Sequence, residues 1–121
     1  MGYNFDNNVP IYIQLVEKLK LKIISGKIKS GDRLPSVREF ALTMKVNPNT
    51  MQKALVELEE LGLIYTERTN GKFVTENQTL IDQYREEYVN ELSEKYFKNL
   101  ENLGYSIKDA MEKLKSLGGD K

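Results

Sequence analysis

The chain has 121 residues, 40% of them hydrophobic, which suits one domain or one small domain with an appendage. It holds no cysteine and no histidine. Disulfides, thiolate metal sites, the usual general base and the usual near-neutral pH switch are therefore excluded. Lys+Arg and Asp+Glu balance at 18 each, but the neutral sum hides an asymmetry, because residues 1–75 carry a net +3 and residues 76–121 a net −3. Residues 27–53 carry +4, from Lys27, Lys29, Arg33, Arg38, Lys45 and Lys53 against Asp32 and Glu39. A local basic surface matters more for phosphate binding than the whole-chain sum, although an ordinary solvated face can show the same excess. No apolar run approaches the ~20 residues needed to span a bilayer. The start lacks a basic and apolar leader pattern, so a cytoplasmic protein with no membrane segment is expected.

Residues 3–9 are polar and read as a lead-in loop. Pro10 stands where helices like to begin. Tyr12, Leu15, Val16, Leu19 and Ile23 follow at helical spacing, and Gly26 is a stop signal. Residues 27–35 carry turn chemistry in Ser30, Gly31, Asp32 and Pro35. Ser36 with Glu39 predicts a capping box ahead of the apolar stripe Val37, Phe40, Ala41 and Met44. Asn47 is a second cap candidate, with Pro48 at the favoured first helical position and Met51, Leu55 and Leu58 behind it. Gly62 supplies the C-terminal cap. Two short helices so closely joined have the spacing of a helix-turn-helix. Leu63–Arg68 and Lys72–Thr75 read as strands around an Asn70-Gly71 hairpin turn.

Three helices plus a hairpin predict a mainly α fold, a winged helix-turn-helix over residues 10–76. Residues 77–121 are expected to form a short two-helix dimerisation segment. From Leu80 the residues Ile81, Tyr84, Tyr88, Leu92, Tyr96, Leu100 and Leu103 recur three or four apart. Gly104 ends that helix. Ser106 and Asp109 open another, with Ile107, Ala110, Met111, Leu114 and Leu117 along one face. Two helices cannot bury such stripes alone. A homodimer packed through Ile81, Tyr84, Tyr88, Leu92, Tyr96, Leu100 and Leu114 is the expectation, with an unknown small-molecule effector held among the tyrosines as the alternative.

In a helix-turn-helix, the start of the second helix reaches base edges in the major groove. Here it carries Asn49, Thr50, Gln52 and Lys53: amides suit adenine, lysine suits guanine or phosphate, and the threonine hydroxyl is versatile. Glu57, Glu59 and Glu60 come later on that helix, which agrees with docking start-first. Arg38 lies in the first turn of the preceding helix, where a cation opposes the helix dipole at a cost of up to ~1 kcal/mol. A phosphate would offset that cost. Arg68, Asn70 and Lys72 surround the wing turn and can follow the DNA backbone or minor groove, though cations also guard exposed strand edges. No catalytic constellation, phosphate-cradling glycine loop or metal-ligand cluster is present in the sequence, so neither an enzyme nor a cofactor is expected.

The run from Pro10 to Val74 resembles the DNA-binding domain of the GntR family. The likeness is carried by Tyr12-x-Gln14-Leu15, Gly31-Asp32-x-Leu34-Pro35-Ser36-x-Arg38-Glu39, Asn49-Thr50, Ala54-Leu55-x-x-Leu58, Gly62-Leu63-Ile64 and Gly71-x-Phe73-Val74. Val46 to Thr50, Gln52 to Ala54 and the short helical C-terminal part are similar to the YtrA-like subfamily. The resemblance implies DNA contacts from Ser36 and Arg38, from Asn47 through Lys53, and from Arg68 through Lys72. It further implies a bacterial homodimeric repressor bound to double-stranded operator DNA, with neighbouring ABC-transporter genes as targets. Pro48 departs from many relatives, which carry arginine there, and Thr69 and Asn70 replace a frequent Gly-Arg pair. A ligand-responsive regulator and a winged-helix protein-interaction module are the alternatives.

Overall fold

The computed structural model describes residues 8–119, so residues 3–7 of the expected lead-in loop lie outside it. The chain forms α1 (Ile11–Ile24), α2 (Val37–Met44), α3 (Pro48–Glu60), β1 (Ile64–Glu67), β2 (Gly71–Val74), α4 (Gln78–Asn102) and α5 (Ile107–Gly118). It divides into two compact units between Tyr84 and Arg85, within α4. No described helix is long and apolar enough to cross a membrane.

The first unit is the winged helix. Its core gathers Leu15, Val16, Leu19 and Ile23 of α1, Phe40, Ala41 and Met44 of α2, and Met51, Ala54, Leu55 and Leu58 of α3. Leu34, Leu63, Ile64, Val74 and Ile81 close it. Each large apolar side chain fully buried here stabilises the fold by about 1.5–3 kcal/mol relative to exposure. The caps act where the sequence places them. Ser36 Oγ accepts from the Glu39 N–H at 3.2 Å and donates to Glu39 Oε1 at 3.0 Å. The glutamate thus engages the hydroxyl of its cap residue. Asn47 Oδ1 accepts from the Asn49 N–H at 2.8 Å, with Pro48 at the first helical position. Between α2 and α3 the turn passes through Lys45 at φ 58°, the only left-handed non-glycine among the described residues.

The wing differs from the sequence reading in two respects. β1 pairs antiparallel with β2 in the register Ile64↔Val74, Tyr65↔Phe73, Thr66↔Lys72 and Glu67↔Gly71. The pairing leaves residues 68–70 in the loop, and the Asn70 N–H donates to the Glu67 carbonyl at 3.3 Å. Gly71 has φ +98° and Asn70 is not left-handed. The turn expected over Thr69, Asn70 and Gly71 is therefore shifted by one residue to 68–70, and because Asn70 is not left-handed the Asn-Gly hairpin turn, which needs positive φ at both positions, does not form; Gly71 instead opens β2. Residues 31–34, expected only to turn, also serve as a third edge. The Leu34 N–H donates to Lys72 O and the Val74 N–H to Asp32 O, both at 2.8 Å, with an antiparallel bridge from Arg33 to Phe73.

The start of α4 belongs to this unit. Asn77 Oδ1 accepts from the Leu80 N–H at 3.1 Å, and Ile81 is 3% exposed in the core. Tyr84 Oη donates to the Leu61 carbonyl at 3.0 Å, and Lys20 Nζ sits 4.7 Å from the Tyr84 ring centroid. Ile81 and Tyr84, expected in a dimer contact, are thus occupied inside the winged unit. In the second unit, Ser106 and Asp109 form the full reciprocal capping box at the start of α5. Tyr96 Oη donates to Ala110 O at 2.8 Å, and Ala110 is buried. Ile81→Ala should therefore lower the stability of the winged unit by about 3 kcal/mol, the usual cost of truncating a buried isoleucine. Denaturant unfolding followed by circular dichroism measures this, and a loss below about 1 kcal/mol would place Ile81 outside the core.

Candidate nucleic-acid interface

The residues expected to touch DNA are all exposed or half-buried, on the first unit. Seven of the ten line three surfaces, and Asn47, Gln52 and Asn70 line none of these. The first is a cleft of about 740 Å³ between the start of α2 and the wing, lined by Arg33, Ser36, Glu39, Glu67, Arg68 and Lys72 among others. The second is an open groove of about 350 Å³ lined by Arg38, Leu42, Val46 and Pro48, together with Glu39 and Ala41. The third lies between the starts of α1 and α3, lined by Ile11, Tyr12, Asn49, Thr50 and Lys53.

Their partners separate the candidates. Among the described residues, the guanidinium groups of Arg33, Arg38 and Arg68 have no hydrogen-bond or ion-pair partner. Three unpaired cations near the starts of α2 and β2 make a surface suited to an anion. Asn49 and Gln52 are exposed on α3, with side chains open for hydrogen bonding. Lys53 Nζ sits 4.0 Å from the Tyr12 ring centroid, a cation–π contact that holds this lysine against α1. Lys72 Nζ donates to Thr66 Oγ1 at 2.9 Å, and Thr66 Oγ1 donates in turn to Glu59 Oε1. Asn70 Nδ2 donates to Glu67 Oε2 at 2.9 Å. The Asn47 side chain caps α3. Ser36, Asn47, Asn70 and Lys72 thus carry structural duties, and Lys53 is held by Tyr12, whereas the side chains of Arg38, Asn49, Gln52 and Arg68 are committed to no such contact among the described residues.

Arg33 was counted in the basic stretch but not singled out. Its chain position, in a turn two residues before Pro35, gave no hint that its backbone pairs with the wing. Its guanidinium lies over Gly71, where an added Cβ would stand 3.4 Å from Nε. Tyr12, part of the α1 stripe and of the Tyr12-x-Gln14-Leu15 motif, also holds Lys53, a role its spacing does not announce. On β1, Tyr65 stacks on Phe73 with ring centroids 5.6 Å apart. Desolvation there, with help from the carboxylates of Glu76 and Glu67, pushes its phenol above the ordinary 10.0. Among the described residues no group of three or more acidic side chains is placed to hold a metal ion.

A family model described as "Bacterial regulatory proteins, gntR family" matches residues 11–74. The HTH-type transcriptional regulator YhcF of Bacillus subtilis is 34% identical over 116 residues, 96% of each chain. The HTH-type transcriptional repressor YtrA of Bacillus subtilis is 45% identical over 71 residues, 59% of this chain and 55% of the repressor. Among solved structures, a GntR family transcriptional regulator from Listeria monocytogenes superposes with a TM-score of 0.83 at 38% identity, covering 93% of this chain and 98% of that one. AraR(DBD) in complex with operator ORX1 superposes with a TM-score of 0.56 at 26% identity, covering 62% of this chain and 95% of that one.

The cap role of Asn47 yields a clean expectation. Asn47→Ala should destabilise the first unit by about 1 kcal/mol, and Asn47→Ser should restore most of it, because serine caps equally well. Thermal melts of the two variants check this. Equal stability of both with the parent would make Asn47 a binding residue only.

Proposed function

We propose that this chain, a DNA-binding transcriptional regulator belonging to the gntR family of bacterial regulatory proteins, works as a homodimeric repressor that reads operator DNA with the start of α3. The unpaired state of Arg33, Arg38 and Arg68 beside the starts of α2 and the wing carries the reading. Unpaired guanidinium groups are costly to crowd together and are relieved by phosphates. Arg38 and the wing arginines hold the backbone. Asn49, Thr50 and Gln52 meet base edges in the major groove. Ser36 lies at the mouth of the cleft, and Lys53 adds charge beside Tyr12. The likeness to the repressor YtrA supports the repressor role. The proposal takes neighbouring ABC-transporter genes as targets and the bacterial cytoplasm as the place of action, with no chemical step assigned to the chain.

Dimerisation rests on the second unit. Leu92 is 67% exposed, Ile107 66% and Leu114 48%, and Val89, Leu103, Met111 and Leu117 are exposed beside them in sequence. So much apolar surface on so small a body marks an interface, and a second copy brings matching stripes. Tyr96 is already tied to Ala110, so the tyrosines favour internal packing over an effector cavity.

Two measurements test the proposal. Binding to DNA from upstream of the chain's own gene is expected to be tight and to fall with salt. Arg38→Ala should lose about tenfold or more and flatten the salt slope by about one unit. Unchanged binding and slope would remove Arg38 from the interface, and no binding by the wild type would sink the repressor reading. Sedimentation should show a dimer that Leu114→Glu converts to monomer. Because two half-sites are then no longer engaged together, operator affinity should drop by about 100-fold.

A further inference from the structure

Leu42 is 81% exposed, the most solvent-open of the large apolar side chains among the described residues. It follows Arg38 by one helical turn, so both occupy one face of α2. That face meets the start of α3 in the open groove of about 350 Å³ whose walls are Arg38, Leu42, Val46 and Pro48. Pro48 stands between Asn47 and Asn49 at the first position of α3, and it is exposed. It has no N–H and no polar side-chain atom, so it can offer a base edge only apolar surface. The acid at the rim, Glu39, already receives the Ser36 hydroxyl. An apolar floor is thus continuous with the unpaired Arg38 on one side and the exposed amide of Asn49 on the other.

The occupant must bring a small apolar group next to negative charge. In the major groove, thymine alone offers one, its 5-methyl group, with a phosphate nearby for Arg38. An apolar side chain of another protein would fill the floor but leave Arg38 unmatched. We infer that this groove reads a thymine methyl in each half-site, with Leu42 and Pro48 as specificity-determining residues. The inference rests on the reading of α3 as the helix that enters the groove.

The test uses deoxyuridine, which pairs as thymidine does but lacks the methyl. The full-length protein selects its sites from a random DNA library, and each thymidine in a selected site is then replaced singly. At one position per half-site the replacement should weaken wild-type binding about fourfold, the equivalent of one buried methyl group. Leu42→Ala and Pro48→Ala should bind the thymidine site more weakly by a similar factor. At that position at least one of them should no longer distinguish the two bases. Leu42 is exposed, so Leu42→Ala should melt as the parent does, and this variant decides the test because Pro48→Ala also removes the fixed φ that starts α3. Sites without a uridine-sensitive position would overturn the inference. So would a penalty that survives undiminished in both variants, since another residue would then touch the methyl. Failure of the wild type to select any DNA would instead remove the reading of α3 on which the inference stands.

Discussion

The first unit depends on one helix serving two surfaces. α3 buries Met51, Ala54, Leu55 and Leu58, each at most 1% exposed, against α1 and α2. Its apolar residues begin only at Met51, so the first turn, Pro48 to Thr50, projects past the core. None of that turn's three residues is fully buried. Its geometry comes from Asn47 accepting the Asn49 N–H, from the fixed φ of Pro48, and from the left-handed Lys45 that aims the chain into the cap. The end proposed to meet DNA is therefore held by cap chemistry and the other end by packing. Substitutions at the two ends act through different physics.

The C-terminal end of α3 is anchored as deliberately. Gly62 takes φ +79° to end the helix, and a Cβ there would stand 3.1 Å from Leu80 Cδ2. The Tyr84 hydroxyl supplies a partner for the Leu61 carbonyl, one of the acceptors that a helix end leaves unsatisfied. Leu80, Ile81 and Tyr84 complete the winged unit although they lie on the helix that leaves it. A reading by composition ends the domain at the polar residues 76–79, because those residues look like a joint. The core continues past them, since Ile81 joins the same buried cluster as Leu63 and Ile64.

Helix positions were legible because apolar spacing and caps are local signals, and Ser36, Asn47 and Ser106 each act on the N–H groups their positions imply. The wing turn was less legible. Asn70-Gly71 is a good hairpin signal, but the third edge at residues 31–34 fixes the register of β2 from a distance, and register decides which residues form the loop. Arg33 escaped notice for the same reason: its place beside Gly71 follows from a pairing forty residues away in sequence. The stripe of α4 was legible as a stripe. Its division between two units was not, because periodicity marks an apolar face and does not name the surface that covers it. Ile81 and Leu92 look alike in sequence, yet one is 3% exposed and the other 67%.

A neutral chain reconciles with a polyanionic target through local concentration of charge. Residues 27–53 carry +4 within the winged unit, although residues 1–84 as a whole carry only +1 and residues 85–121 carry −1. Two winged units joined in the proposed dimer would double the phosphate contacts of one and make the second engagement intramolecular, which multiplies affinity without any new residue. In the proposed dimer, the apolar surface that no part of the monomer covers and the modest charge of each reading head are therefore one design: the second unit supplies by pairing what the first lacks in charge.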